Sequence, residues 1–156
     1  ARVLETKEAF KLGRITENII VQERFFPTSP NINEESDEIR HEILKFNPDL
    51  IFTHSPHDTH QEHIQTHQIT ITAARRLKLS ILEYPMLSST PAFMPNIFSD
   101  ITPYFNRKKE LLKKHKTQNE KTYMTDDFIN TFNSSAYGLL HLCNNIENFY
   151  VHRLIF

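Results

Sequence analysis

Short apolar segments alternate with helical segments along the middle of this 156-residue chain. Residues 50–54 and 80–84 are short apolar runs, which predicts two strands. Between them, residues 59–77 carry apolar side chains at helical spacing. Because parallel neighbouring strands need a crossover connection, this alternation predicts an α/β fold with a mostly parallel sheet covered by helices.

The remaining elements are predicted from turn residues as well as from periodicity. Gly13, the residue type that most easily adopts the left-handed conformation, is expected to end a helix over residues 2–12. Asn47-Pro48 is expected to end a second helix, which carries apolar residues from 39 to 46. We expect residues 1–156 to form a single domain. The other predicted elements are strands at about 15–21, 97–101 and 149–155, a loop at 27–33, and helices at about 103–116 and 125–142.

Composition and charge argue against several classes of protein. The formal net charge is −1, and we interpret the basic cluster at residues 107–116 as a solvated helix face rather than a nucleic-acid surface. No apolar run approaches the roughly 18 residues that span a bilayer, so we expect no membrane span. Cys143 is the only cysteine, which excludes an internal disulfide and is compatible with the cytoplasmic location that we expect.

A dense histidine run follows the first of the two central strands. Residues 54–67 read H-S-P-H-D-T-H-Q-E-H-I-Q-T-H and hold five of the nine histidines of the chain, with one aspartate and one glutamate. Ligands in open α/β sheets bind beyond the carboxyl ends of the strands, which is where this run is predicted to lie. The run therefore indicates a site that handles a metal ion or a proton.

Within the run, the spacing selects one pair of histidines. His60 and His63 are three residues apart, so both fall on one face of the first helical turn. Asp58 and Glu62 are the neighbouring carboxylates that could orient a metal-bound ring through its second nitrogen. From these residues alone, both a functional and a purely structural role for the pair stay open.

The other histidines of the run suggest alternatives. His63 and His67 form an H-x-x-x-H pair, but a metalloprotease of the H-E-x-x-H type needs a glutamate where this chain has Ile64. That interpretation therefore fails on its chemistry. We interpret His54, His57 and His67 as capping, loop or solvent-facing residues.

Several motifs, in order along the chain, resemble the PIG-L/LmbE-like zinc N-deacetylases. N-P-D-L-I-F-T-H followed by D-T-H-Q-E-H resembles the second signature of that family, K-K-E-L-L-K-K-H-K-T-Q is similar to its late helix, and I-E-N-F-Y-V-H-R to its end. Arg2 and Glu5 are similar to the R-x-x-E helix of these proteins. The likeness covers essentially the whole chain.

This resemblance implies a Rossmann-like α/β fold with helices on both faces of the sheet, and a site with one Zn²⁺ that hydrolyses an acetamide on an N-acetylglucosamine-type amino sugar conjugate. It implies that His63 is a zinc ligand and that His60 assists the tetrahedral intermediate. Asp58 and Glu62 match neighbouring catalytic carboxylates, although the family usually has aspartate at the second position. Arg2 matches an arginine of the substrate pocket.

The chain departs from the family in one respect. The first family signature, A-H-P-D-D, supplies the other two zinc ligands and the general base, and it does not occur here. We therefore expect an N-terminally incomplete deacetylase domain that is inactive by itself. The alternative is a shortened, non-catalytic relative that binds a sugar or nucleotide-sugar, and a histidine-rich metal-binding module is a further alternative. A small-molecule partner is expected, and association of subunits is left open.

Overall fold

The computed structural model describes residues 1–14, 31–134 and 143–156. The predicted strand at 15–21, most of the loop at 27–33 and the end of the helix at 125–142 lie outside these residues. The chain divides into two compact units, one formed by Ala1–Phe25 with Ser99–Glu147 and the other by Phe26–Phe98 with Asn148–Phe156. The prediction of a single domain stays a prediction. The described helices and strands are α1 (Arg2–Leu12), α2 (Ile32–Phe46), β1 (Leu50–His54), α3 (Gln61–Ala74), β2 (Ser80–Tyr84), β3 (Ile97–Asp100), α4 (Phe105–Leu112), α5 (Asp126–Asn133) and β4 (Ile146–Arg153).

The described strands form a mixed sheet in the order β1-β2-β4-β3. β1 and β2 are parallel, with α3 as the crossover between them, and their register runs from Leu50 opposite Ser80 to His54 opposite Tyr84. β4 pairs with β2 in the antiparallel direction. The prediction of a mostly parallel sheet is therefore wrong. Alternation identified the β1-α3-β2 unit, but it carries no information about the direction in which the C-terminal strand enters the sheet.

The core of the second unit lies between β2 and the helices α2 and α3. All but the last residue of β2 are buried. The core cluster contains Ile43 of α2, Ala73 and Ala74 of α3, and Ile81 of β2. Burying an isoleucine side chain contributes roughly 1.5–3 kcal/mol, so this cluster stabilises the packing of β2 against α2 and α3. Strand β1, at one end of the order of the described strands, is less covered, and Phe52 remains 52% exposed.

Local capping accounts for the ends of α2. The side chain of Asn31 accepts a hydrogen bond from the backbone N–H of Asn33 at 3.2 Å, which satisfies a donor of the first turn. Asn47 ends the helix in the left-handed conformation, at φ 50° and ψ 57°, as its position before Pro48 led us to expect of a helix end.

The first unit contains α1, α4 and α5 with three short 3-10 helices between β3 and α5. Its α1 ends at Leu12 as predicted, but Gly13 stays right-handed at φ −66° and Arg14 takes the positive φ of 60° instead. Glu5 of α1 accepts hydrogen bonds from both the backbone N–H and the hydroxyl of Thr117, at 2.9 and 2.8 Å. Across the residues that the structure describes, no helix has the length and apolar character needed to cross a membrane.

Candidate metal centre

Two loops meet beyond the carboxyl ends of the parallel strands β1 and β2. The backbone N–H of Thr59 donates to the carbonyl of Ser88 at 2.9 Å, and the N–H of Thr90 donates to the carbonyl of His57 at 2.9 Å. Asp58 and Ser89 form an isolated bridge between these hydrogen bonds. The predicted histidine run is therefore held against the loop that follows β2, at the edge of the sheet where α/β folds bind ligands.

Asp58 is the buried anchor of this arrangement, with a side chain only 1% exposed. One carboxylate oxygen accepts the backbone N–H of His60 at 2.7 Å, and the other lies 3.1 Å from Nδ1 of His63. Burial alone would raise the pKa of Asp58, but hydrogen bonds from Ser88, His60 and His63 outweigh it and lower the pKa to about 2. The carboxylate is therefore ionised at neutral pH and can hold the Nδ1 proton of His63.

His63 lies in the first turn of α3, and its ring is fixed through Nδ1. Ser88 Oγ lies 3.3 Å from the same nitrogen, in addition to Asp58. Among the described residues, no hydrogen bond partner is found for Nε2 of this ring. The side chain is 19% exposed. A carboxylate on Nδ1 and an open Nε2 is the usual arrangement of a metal-bound histidine, so the chemistry of these residues fits one ligand position.

Two further histidines stack on His63. The ring of His54, at the end of β1, lies 4.1 Å from that of His63 with an interplanar angle of 7°. The ring of His60 lies 4.4 Å away, at an angle of 20°. His54, Asp58, His60 and His63 are called the loop cluster below. Two imidazoles this close to His54 disfavour a positive charge on its ring.

His54 shows this effect directly. Burial, followed by the nearby His63, lowers the pKa of His54 to about 4. Its Nε2 lies 3.3 Å from the hydroxyl of Tyr84, whose own pKa is raised by burial. Its Nδ1 is buried, and no hydrogen bond partner is found for it among the described residues. His54 is therefore a half-buried, neutral residue that packs against His63 at the end of β1. It is not a loop or solvent-facing residue.

The other two predicted site residues are placed differently. Glu62 is exposed on α3, and its side chain makes no hydrogen bond or ion pair within the described parts of the chain, unlike Asp58. Arg2 is exposed at the start of α1 and belongs to the other compact unit. The structure thus brings together Asp58, His60 and His63.

A second group of possible ligands was missed by the sequence analysis. His67 of α3, Glu83 of β2 and His152 of β4 place one potential ligand atom each within 4.8 Å of one another. Within the described residues, His67, Glu83 and His152 form the group of potential ligands that is close enough to hold an ion. This group does not include His63. We call it the sheet cluster.

A signal for the sheet cluster was present in the sequence. Glu83 interrupts the otherwise apolar run Ile81-Leu82 of a buried strand, and a glutamate is rarely fully buried without a partner. The partners could not be assigned, because His152 is 69 residues away from Glu83. His67 is buried, so its interpretation as a capping, loop or solvent-facing residue was wrong.

The structure is similar to solved structures that include deacetylases. It matches the conserved protein TT1542 from Thermus thermophilus with a TM-score of 0.76 at 14% identity, over 98% of this chain and 73% of that one. A deacetylase of the teicoplanin biosynthesis pathway, in complex with bog, matches with a TM-score of 0.68 at 16% identity, over 95% of this chain and 70% of that one.

The zinc-inhibited form of the teicoplanin deacetylase Orf2 matches with a TM-score of 0.61 at 16% identity, over 87% of this chain and 59% of that one. No family model and no curated protein matches the chain. At these identities the similarity shows the fold, which is therefore a mixed α/β fold of the kind found in these deacetylases.

Proposed function

We propose that this protein is a zinc-dependent N-deacetylase of the PIG-L/LmbE type, which removes the acetyl group from an N-acetylglucosamine-type amino sugar conjugate. The observation that carries the proposal is the contact of 3.1 Å between Asp58 and Nδ1 of His63, which leaves Nε2 of that ring open. It occurs beyond the ends of two parallel strands, in a fold shared with deacetylases.

In this proposal, Asp58 and Ser88 orient the ring of His63 so that Nε2 can bind Zn²⁺. A bound zinc ion would lower the pKa of its water and polarise the amide carbonyl. No group of three convergent ligands in the described residues includes His63. His63 is therefore the one zinc ligand that we assign among the described residues.

The proposal gives His60 the role of stabilising charge on the carbonyl oxygen during attack by water. Its backbone is fixed by the hydrogen bond to Asp58 at 2.7 Å, whereas the residue itself is exposed and can reach a substrate. A hydrogen-bond donor that is placed where negative charge develops in the transition state raises the rate without tightening substrate binding. Glu62 and Arg2 stay predictions for the substrate side of the site.

Two of the fold neighbours support the chemical class of the substrate and the metal. One deacetylase of the teicoplanin pathway was solved in complex with teicoplanin, and Orf2 was solved in a zinc-inhibited form. We infer that an amino sugar on a larger conjugate is the substrate class here. The Orf2 form indicates that zinc binds a protein of this fold, which supports zinc as the metal ion but not its effect on the rate.

The test is acetate release from a panel of N-acetylglucosamine conjugates by the zinc-loaded protein. We expect zinc-dependent release, lowered at least about 1,000-fold by His63→Ala, since Lewis-acid stabilisation is worth several kcal/mol. His41→Ala, which changes an exposed histidine of α2, is the matched control. Absence of zinc-dependent release across the panel, or release unchanged by His63→Ala, would contradict the proposal.

A further inference from the structure

The sheet cluster joins three elements of the second unit around one carboxylate. Glu83 Oε1 lies 3.0 Å from Nδ1 of His152 and 3.6 Å from Nδ1 of His67. The rings of His67 and His152 meet edge to face, with centroids 5.9 Å apart. Two histidines and a carboxylate, each from a different element, therefore point their ligand atoms at a common volume.

Burial distinguishes this cluster from an exposed ion pair. The side chain of Glu83 is 3% exposed and that of His67 is 10% exposed, whereas that of His152 is 34% exposed. A buried carboxylate needs compensation by a positive charge or by several hydrogen bonds. Burial lowers the pKa of His67, against the opposing effect of Glu83.

We propose that His67, Glu83 and His152 form a second binding site for a Zn²⁺-class divalent cation, distinct from the one proposed at His63. Bonds of about 2.0–2.1 Å to a tetrahedral ion place ligand atoms about 3.3–3.4 Å apart. The distances of 3.0 and 3.6 Å from Glu83 to the two rings bracket this value. Because His152 is partly exposed, water can complete the coordination.

The ion would act as a clamp between α3, β2 and β4. It would occupy the volume between Glu83 and its two histidines, and would neutralise the buried carboxylate. Binding through Nδ1 of His67 displaces the hydrogen bond of 3.0 Å between this nitrogen and the carbonyl oxygen of His54. Because its three ligands come from α3, β2 and β4, an ion bound there would tie these elements of the second unit together.

The experiment measures Co²⁺ binding by visible absorption in protein that carries His63→Ala, so that the proposed catalytic ligand is absent. In this background, His152→Ala removes a partly exposed ligand, and Glu83→Gln removes the charge while keeping the shape of the side chain. His41→Ala is the matched control for loss of an exposed histidine. Far-UV circular dichroism establishes that each variant is folded.

We expect His63→Ala and its combination with His41→Ala to bind one Co²⁺ with equal affinity, and Zn²⁺ to raise the thermal midpoint of both. Adding His152→Ala or Glu83→Gln should weaken binding more than about tenfold, since even residues that only support a ligand have effects of about 10- to 100-fold. The proposal is overturned if the His63→Ala protein binds no Co²⁺, or if either added substitution leaves the affinity unchanged. Neither result depends on deacetylase activity.

Discussion

The loop cluster and the sheet cluster both combine histidines with one buried carboxylate, but they use the carboxylate in opposite ways. Asp58 contacts Nδ1 of His63 and leaves Nε2 of that ring open. Glu83 lies between the rings of His67 and His152 and is itself a potential ligand. In our proposals, the first arrangement would orient a zinc ligand that faces the substrate, whereas the second would hold an ion between α3, β2 and β4.

The largest expected difference concerns the two exposed histidines. His60→Ala should lower acetate release by about 10²- to 10⁴-fold, the usual range for a group that assists proton transfer or charge stabilisation, with bound zinc retained. His152→Ala should leave release near the parental rate while lowering the amount of bound metal. Steady-state kinetics combined with metal analysis measures both quantities. A large loss of turnover in His152→Ala would contradict the proposal that only the loop cluster takes part in hydrolysis.

The next comparison is between two neighbouring carboxylates that the sequence alone could not rank. Asp58→Asn should weaken zinc binding or turnover by about 10- to 100-fold, because it removes the charge that holds the Nδ1 proton of His63. Glu62→Gln is the comparison for zinc affinity alone, which it should leave unchanged because this side chain is exposed and does not contact His63 among the described residues. Zinc titration against a competing chelator distinguishes the two. Equal effects of the two substitutions would show that the buried contact with His63 does not orient the ligand.

How far each cluster could be predicted depends on the spacing of its residues in the sequence. The loop cluster lies within ten residues, from His54 to His63, directly after a strand whose bounds were predicted correctly at Leu50–His54. The sheet cluster depends on the antiparallel pairing of β4 with β2, which periodicity does not encode. The mostly parallel sheet was predicted wrongly for the same reason.

The predicted ends of α1 and α2 were also confirmed only in part. Asn47 before Pro48 ended α2 as predicted, because a left-handed residue and a proline both act locally. Gly13 did not take the left-handed conformation that was expected of it, and Arg14 took it instead. The conformational preference of glycine identified where α1 ends. It does not determine which residue after the helix adopts the left-handed conformation.

The effect of pH on stability should test the burial of His54 in metal-free protein. His54 has a pKa of about 4 when folded, against an ordinary value of 6.5. The unfolded state then binds more protons between these values, so this residue makes stability fall as pH decreases from about 6.5 to 4. Urea unfolding over this range should show the loss, and His54→Gln should reduce it. A midpoint near 6.5 for His54, measured by NMR titration, would contradict the burial of a neutral ring.

The smallest expected effect concerns the hydrogen bond between Tyr84 and His54 of the loop cluster. Tyr84→Phe removes the hydroxyl that lies 3.3 Å from Nε2 of His54 and leaves the aromatic ring in place. We expect a loss of about 0.5–1.5 kcal/mol in the free energy of unfolding, the usual net value of one hydrogen bond, measured by urea denaturation. Tyr104→Phe, at a residue 70% exposed, is the control and should have no measurable effect. If the two substitutions were equivalent, the tyrosine would contribute only packing, and the position of His54 against His63 would depend on ring stacking alone.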